Sequence, residues 1–412
     1  MCRFGLIVFL CLGVAAAGGS AADGKAASAR AASLKATGDA AGALAAYQEA
    51  ARLDPKSAVY QDEIGFLQAV MGRAAEAREH FQQALALDAR YAPAHYHLGV
   101  ALWLAKEPDR AIAELQTAVE IDPANAPYRS RLGEAFLTQG RPDLAVPHLK
   151  EAARLQPRDA AAWSRLGTAL QEVRDFAGAL DAFQHDVALE PDNANAHNNL
   201  GMIYVNTMRP KEAFAEFDKV LAIDPRNFSA RVNIGFTHLQ KRELEEAEAS
   251  FRQAIQLDPK SASAHYNLGV ALKNQDKLDE AMAELKQALA IDPNLSEAHY
   301  VLGIAHWQSG EFDQAVAQLR TSVALRPDYA QGFFMLGTVL KQKGDMDGAE
   351  AALRKSIELD PGDPGPYNTL AQIRRQRGDT AESARLFEEG ARVKREKEKQ
   401  MEGKLGTMDT RR

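Results

Sequence analysis

A proline recurs along this chain every 34 residues, at Pro123, Pro157, Pro191, Pro225, Pro259, Pro293, Pro327 and Pro361. Pro55 stands two such gaps ahead of Pro123, and Ala89 holds the place between them. Ten residues after these places comes a glycine, from Gly65, Gly99 and Gly133 to Gly303 and Gly337. An alanine keeps a third phase, from Ala43 and Ala77 to Ala315 and Ala349. No insertion breaks the count. Its length alone would suggest two or three globular domains, but residue types kept in register over so many periods require identical supersecondary units. Each unit buries its apolar face against the next.

With the proline at position 32, units begin at residues 24, 58, 92, 126, 160, 194, 228, 262, 296, 330 and 364, so eleven units cover 24–397. Positions 1–14 are predicted to form one helix, A. Residues able to cap it stand just before it: Ser57, Asn125, Asp159, Asn193, Asn227, Ser261 and Asp363. Pro93, Pro127 and Pro364 fall in its first turn, where a missing N–H costs little. A turn follows near position 15, with Gly38, Gly72, Gly140, Gly310, Gly344 and Gly378. Pro108, Pro142 and Pro210 then open a second helix, B, which the position-32 proline ends. The glycine at position 8 and the alanine at position 20 are expected to face each other where A and B cross. Leucines such as Leu98 and Leu132 on A, and Phe81, Phe183, Phe217 and Leu285 on B, fill the core. Two departures stand out. Asp186 takes a small apolar position and needs a partner, and Pro147 lies inside helix B of unit 4 and should kink it.

This pattern resembles the tetratricopeptide repeat family across nearly the whole chain. The resemblance implies an all-α fold, a right-handed α-solenoid of about eleven helix-turn-helix units, and a non-catalytic scaffold that binds proteins in a concave groove lined by the A helices. Unit 11 drifts, with Ala371 for the glycine and Ser383 for the alanine, as a polar cap would. Residues 398–412 read as a charged, disordered tail.

Composition bears on compartment. Arg3 precedes an apolar run from Phe4 to Ala17, and small residues follow. Residues 1–22 therefore read as a secretory signal peptide, cleaved after Ala22 or after Ala17. A retained anchor is the competing reading, but the run falls short of the roughly 20 residues that span a bilayer. Cys2 and Cys11 both lie in this segment, so the mature chain would carry no cysteine and could work in the periplasm or outside the cell. The formal charge of −7 supplies no global attraction to nucleic acid.

No catalytic constellation, phosphate-binding loop or metal-ligand spacing stands out, and no cofactor is expected. The histidines follow the repeat: His95, His197, His265 and His299 share position 4, and His238 and His306 share position 11. That is packing periodicity rather than ligand spacing. Positions 6 and 13 lie seven apart on helix A and hence nearly on one face. Position 6 reads His97, Arg131, Arg165, Asn199, Asn233 and Asn267 before turning apolar at Val301 and Met335. Position 13 reads Glu172, Asn206, Gln240, Asn274, Gln308, Gln342 and Gln376. The asparagines resemble the ladder in the repeat half of O-linked N-acetylglucosamine transferase, which implies that Asn199, Asn233 and Asn267 hold the backbone of an extended peptide. A carboxamide offers both a donor and an acceptor for this. Arg131 and Arg165 depart from the ladder and would attract an acidic stretch of the ligand; the competing reading is that all five are solvated polar residues. Tyr266, Tyr300 and Phe334 fall in consecutive units as an anchor patch or as packing between units. The chaperone-binding carboxylate clamp of the family is not matched, because Ser164, Thr168, Asn199, Ser229 and Asn233 stand at its places without its cations. The expected function is an exported protein-interaction scaffold. The alternative is a structural subunit of an envelope or secretion complex, which would use the convex face and the caps.

Overall fold

The computed structural model describes residues 21–409. Of the expected signal segment, all but Ala21 and Ala22 lie outside these residues. Among them the chain forms 22 helices and no strand, from α1 (Ala21–Ala36) to α22 (Thr380–Asp409). No described helix is long and apolar enough to cross a membrane. Two compact units divide the chain: α1 to α10 (Phe176–Leu189) lie in one that ends at Pro191, and α11 (Ala194–Asn206) to α22 lie in one that begins at Asp192.

In each unit odd and even helices pair as hairpins, and hairpin stacks on hairpin. The first unit holds α3 (Ala58–Val70), α4 (Ala74–Leu87), α5 (Ala92–Leu104), α7 (Ala126–Thr138), α8 (Pro142–Leu155) and α9 (Ala160–Glu172). The second holds α13 (Phe228–Lys241), α14 (Leu244–Leu257), α15 (Ala262–Asn274), α16 (Leu278–Ile291), α17 (Ser296–Gln308), α19 (Ala330–Lys343) and α21 (Pro364–Gln376). From α3 onward every A helix starts on the residue that the 34-residue phase marks as position 1. The caps explain why. The side chains of Asn125, Asn193, Asn227, Ser261 and Asp363 accept from backbone N–H groups of the first turn. Ser57 and Asp159 occupy the same place without a side-chain cap bond.

The corner between A and B places position 15 in the left-handed region every time. Glycine holds it at Gly38, Gly72, Gly140, Gly310, Gly344 and Gly378. Lys106, Arg174, Met208, Arg242 and Asp276 hold it elsewhere, with φ between 57° and 62°.

Packing corrects one expectation. The position-8 glycine faces the position-24 side chain, with the carbonyl of the position-20 alanine beside it. A Cβ on Gly65 would lie 2.7 Å from the Phe81 ring and 2.9 Å from the Ala77 oxygen. On Gly201 it would lie 2.5 Å from Phe217. The glycine is thus a notch into which the largest core side chain of helix B fits; Phe81, Phe183, Phe217 and Phe251 are fully buried there.

Position 4 also has a role beyond packing. His265 Nε2 lies 3.2 Å from the Pro259 carbonyl and its Nδ1 lies 2.6 Å from Glu284. His299 bridges the Pro293 carbonyl and Gln318 in the same way, and His95 bridges Ala89 and Glu114. In some hairpins another donor takes its place: Trp163 Nε1 donates to the Pro157 carbonyl at 3.1 Å, and Tyr367 Oη donates to that of Pro361 at 3.4 Å. This side chain ties helix A to the loop that precedes it.

Asp186 is buried. Pro147 sits at an exposed place within α8, which continues through it to Leu155. Helix α22 includes residues 398–409, which the sequence assigns to the tail. Its first half packs on α21 through Leu386, Gly390 and Val393.

Candidate functional site

Successive A helices touch one another in both units, as α3 does α5 and α11 does α13, whereas successive B helices meet less. The A helices therefore form the tighter side of each stack, and their outward positions share one face. Position 13 is exposed along that face of the second unit, at Asn206, Gln240, Asn274, Gln308, Gln342 and Gln376. Position 6 sits deeper: Asn199, Asn233 and Asn267 are half-buried, and Val301 beyond them is buried.

The three asparagines differ in what they have left to offer. Asn233 Nδ2 donates to Asn198 Oδ1 of the preceding A helix at 2.8 Å, which leaves its carbonyl oxygen and one N–H. No side-chain hydrogen bond within the described residues engages the carboxamides of Asn199 or Asn267. These groups are held at fixed heights on α11, α13 and α15 and can each take a donor and an acceptor from outside.

In the first unit, Arg131 on α7 lies 3.1 Å from Glu134 on its own helix, and Arg165 on α9 donates to the same carboxylate. One anion therefore answers two cations, leaving a smaller positive excess than the residues suggest by themselves. Glu134, at position 9, was not singled out in the sequence; its i, i+3 spacing from Arg131 was the available signal.

Tyr266, Tyr300 and Phe334 join two adjoining apolar clusters. Tyr266 and Tyr300 pack against Met282, Leu285 and Leu302, while Tyr300 and Phe334 pack against the cluster around Leu336 and Leu340. Tyr300 meets Tyr329 edge-on with ring centroids 5.1 Å apart. Burial pushes the Tyr266 and Tyr300 phenols above their ordinary range. All three side chains are half-buried, so each spends part of its ring on the neighbouring hairpin. Among the described residues no group of histidines, cysteines and carboxylates is placed to hold a metal ion.

Two Tetratricopeptide repeat family profiles match the chain, one over residues 130–185, 164–228, 234–296 and 300–364 and the other over 71–133; the first alone covers more than half of it. No curated protein matches. Among solved structures, a tetratricopeptide repeat protein from Parabacteroides merdae superposes with a TM-score of 0.54 at 15% identity, covering 60% of this chain and 98% of that one. YrrB, described as a TPR protein with an unusual peptide-binding site, gives 0.43 at 23% identity, over 45% of this chain and 95% of its own. PilF of Pseudomonas aeruginosa gives 0.46 at 22%, over 52% and 99%. With the helix-turn-helix period, its notch glycines and a family profile that covers more than half of its length, the chain belongs to the tetratricopeptide repeat family.

Proposed function

We propose that this protein is an exported, non-catalytic scaffold that holds an extended segment of a partner protein along the A-helix face of its second unit. The observation that carries this reading is the row of half-buried carboxamides at Asn199, Asn233 and Asn267, two of them without a side-chain hydrogen bond among the described residues. A row of amides one hairpin apart suits a repeating backbone, because each can pair with a peptide N–H and a peptide C=O. Such a row reads main chain, and selectivity falls to the groups around it. Tyr266, Tyr300 and Phe334 would add apolar contact beyond its C-terminal end, while Arg131 and Arg165 would favour an acidic segment at the first unit. Export rests on the charged and apolar pattern of residues 1–22, and sequencing the N-terminus of the protein recovered outside the cytoplasm should place the start at Asp23 or Gly18.

Replacing Asn199, Asn233 and Asn267 together by alanine tests the ladder. Each lost hydrogen bond is worth roughly 0.5–1.5 kcal/mol, so affinity for a partner recovered by pull-down should fall by about tenfold to a thousandfold. Far-UV circular dichroism should remain unchanged. Undiminished affinity in the folded triple variant would remove the ladder from the account.

A further inference from the structure

At one corner of the first unit the side chains are small, and a cavity lies beside them. Position 17, the first residue of helix B, is large and apolar in five of the eleven hairpins, at Phe176, Leu244, Leu278, Phe312 and Met346, proline in three, and alanine in the first two. In the second hairpin it is Ala74, followed by Ala75. The space they leave between α3, α4 and α5 has a volume of about 640 Å³, within the range of known ligand sites. Its walls are Phe66, Phe81, Tyr96 and Val100. Position 13, polar in the later hairpins, is here Val70 and Leu104, which stand 62% and 74% exposed at the mouth. An apolar recess whose rim is apolar at a position that is polar in the later hairpins marks a contact site.

One polar group is directed into this recess. The ring of His97 lies within 5.4 Å, centroid to centroid, of Phe66, Phe81 and Tyr96. Its Nδ1 is 2.9 Å from Oδ1 of Asp62, a carboxylate with only 2% exposure. A carboxylate accepts, so Nδ1 carries a proton, and when the ring is neutral Nε2 is left as an acceptor. Arg78, also at the margin, is held by Glu107 at 3.0 Å. The cavity therefore offers aromatic and aliphatic walls and one fixed acceptor. An occupant matches it when it is a flat apolar body with a single donor at its edge.

We propose that this recess is an anchor site for a tyrosine or tryptophan side chain of a polypeptide, whose phenol O–H or indole N–H donates to His97 Nε2. A polypeptide is the source because His97 and Leu104 occupy positions 6 and 13 of α5, the phases that carry carboxamides in the second unit, with Tyr96 and Val100 beside them. The mouth thus opens on the face along which a chain would lie. The proposal rests on the reading that this face binds polypeptide, but it uses none of the asparagines. A phenylalanine or leucine would fill the space and leave the acceptor desolvated without a partner, which disfavours it.

The test uses the mature full chain and a panel of otherwise identical Gly/Ser peptides bearing one central Tyr, Trp, Phe or Leu, with free p-cresol and 3-methylindole as small-molecule probes. Titration calorimetry should show Tyr and Trp peptides binding roughly tenfold or more tightly than Phe and Leu peptides. Ala74→Leu restores the residue found at Leu244 and Leu278 and should abolish peptide binding while retaining the helical signal. His97→Phe should erase the preference, so that the Tyr and Trp peptides bind no more tightly than the Phe peptide. Equal binding of all four peptides, no binding of any, or binding that survives Ala74→Leu would overturn the proposal. So would free p-cresol or 3-methylindole binding as tightly as the peptides, since the site would then be one for small molecules. The Asn199, Asn233 and Asn267 triple variant should keep the Tyr preference intact, so failure of the ladder and failure of the anchor are read separately.

Discussion

At the scale of the residue, the notch glycine shows how one missing methyl group sets a hairpin. A Cβ on Gly201 would sit 2.5 Å from the Phe217 ring, far inside contact distance, and Phe217 is fully buried with no room to retreat. Gly201→Ala should therefore destabilise the protein by about 1–3 kcal/mol, despite the better helix propensity of alanine, as overpacking outweighs propensity. Urea denaturation followed by circular dichroism measures this, and a stabilised variant would refute the notch. The sequence made the glycine legible as a packing residue through its strict phase. It did not reveal the partner, because positions 20 and 24 lie one turn apart on the same helix face and only the side-chain direction distinguishes them. The asparagine row was similarly visible, whereas the bond from Asn233 to Asn198 was not. That bond depends on side-chain geometry between residues in different hairpins, which no spacing rule encodes.

At the scale of the element, helices are joined by polar pins as well as by apolar contact. Glu248 on α14 accepts from Lys277 at 2.8 Å, from Gln275 at 3.0 Å and from Arg252 at 2.9 Å. The first two follow α15, so this carboxylate fastens one hairpin to the next. Glu350 holds the same repeat position three hairpins on and accepts from Arg354, Arg374 and Arg377. Burial pushes the Glu248 carboxyl up, but the hydrogen bonds from Lys277, Arg252 and Gln275 outweigh it and hold it at about 2. A carboxylate depressed in the folded state stabilises the fold above its unfolded value and loses that contribution as pH falls through the folded one. Stability should thus decline between about pH 4.5 and pH 2, with Glu248 supplying about 1–3 kcal/mol of the loss. Glu248→Gln should be less stable at pH 7 and show a shallower decline in thermal melts across that window. An equally steep decline would show that the pin contributes nothing. The helices themselves were legible because caps, prolines and corner glycines punctuate each period. The cavity at Ala74 was not legible: its phase is large and apolar in five of the eleven hairpins, and Ala40 is equally small, so nothing in the spacing singles it out.

At the scale of the whole molecule, regular repetition means that each hairpin's stability depends on its own packing and on its neighbours, so the chain tolerates removal of a full period far better than half of one. Deleting residues 262–295, one complete unit, should leave a cooperatively melting helical protein. Deleting residues 262–278, half the number, should not, since it would present a B helix where the stack needs an A helix. Circular dichroism melts of the two deletions decide this, and a well-folded half-unit deletion would contradict the nearest-neighbour account. The same repetition gives the left-handed corners a meaning beyond geometry. Lys106, Arg174, Met208, Arg242 and Asp276 each occupy a backbone conformation that costs a side-chain-bearing residue about 1 kcal/mol or more. Six sister corners show that glycine occupies the same place. The chain thus carries a reserve of unclaimed robustness, spread among separate hairpins, as expected of a protein kept above a threshold of durability rather than driven to its limit.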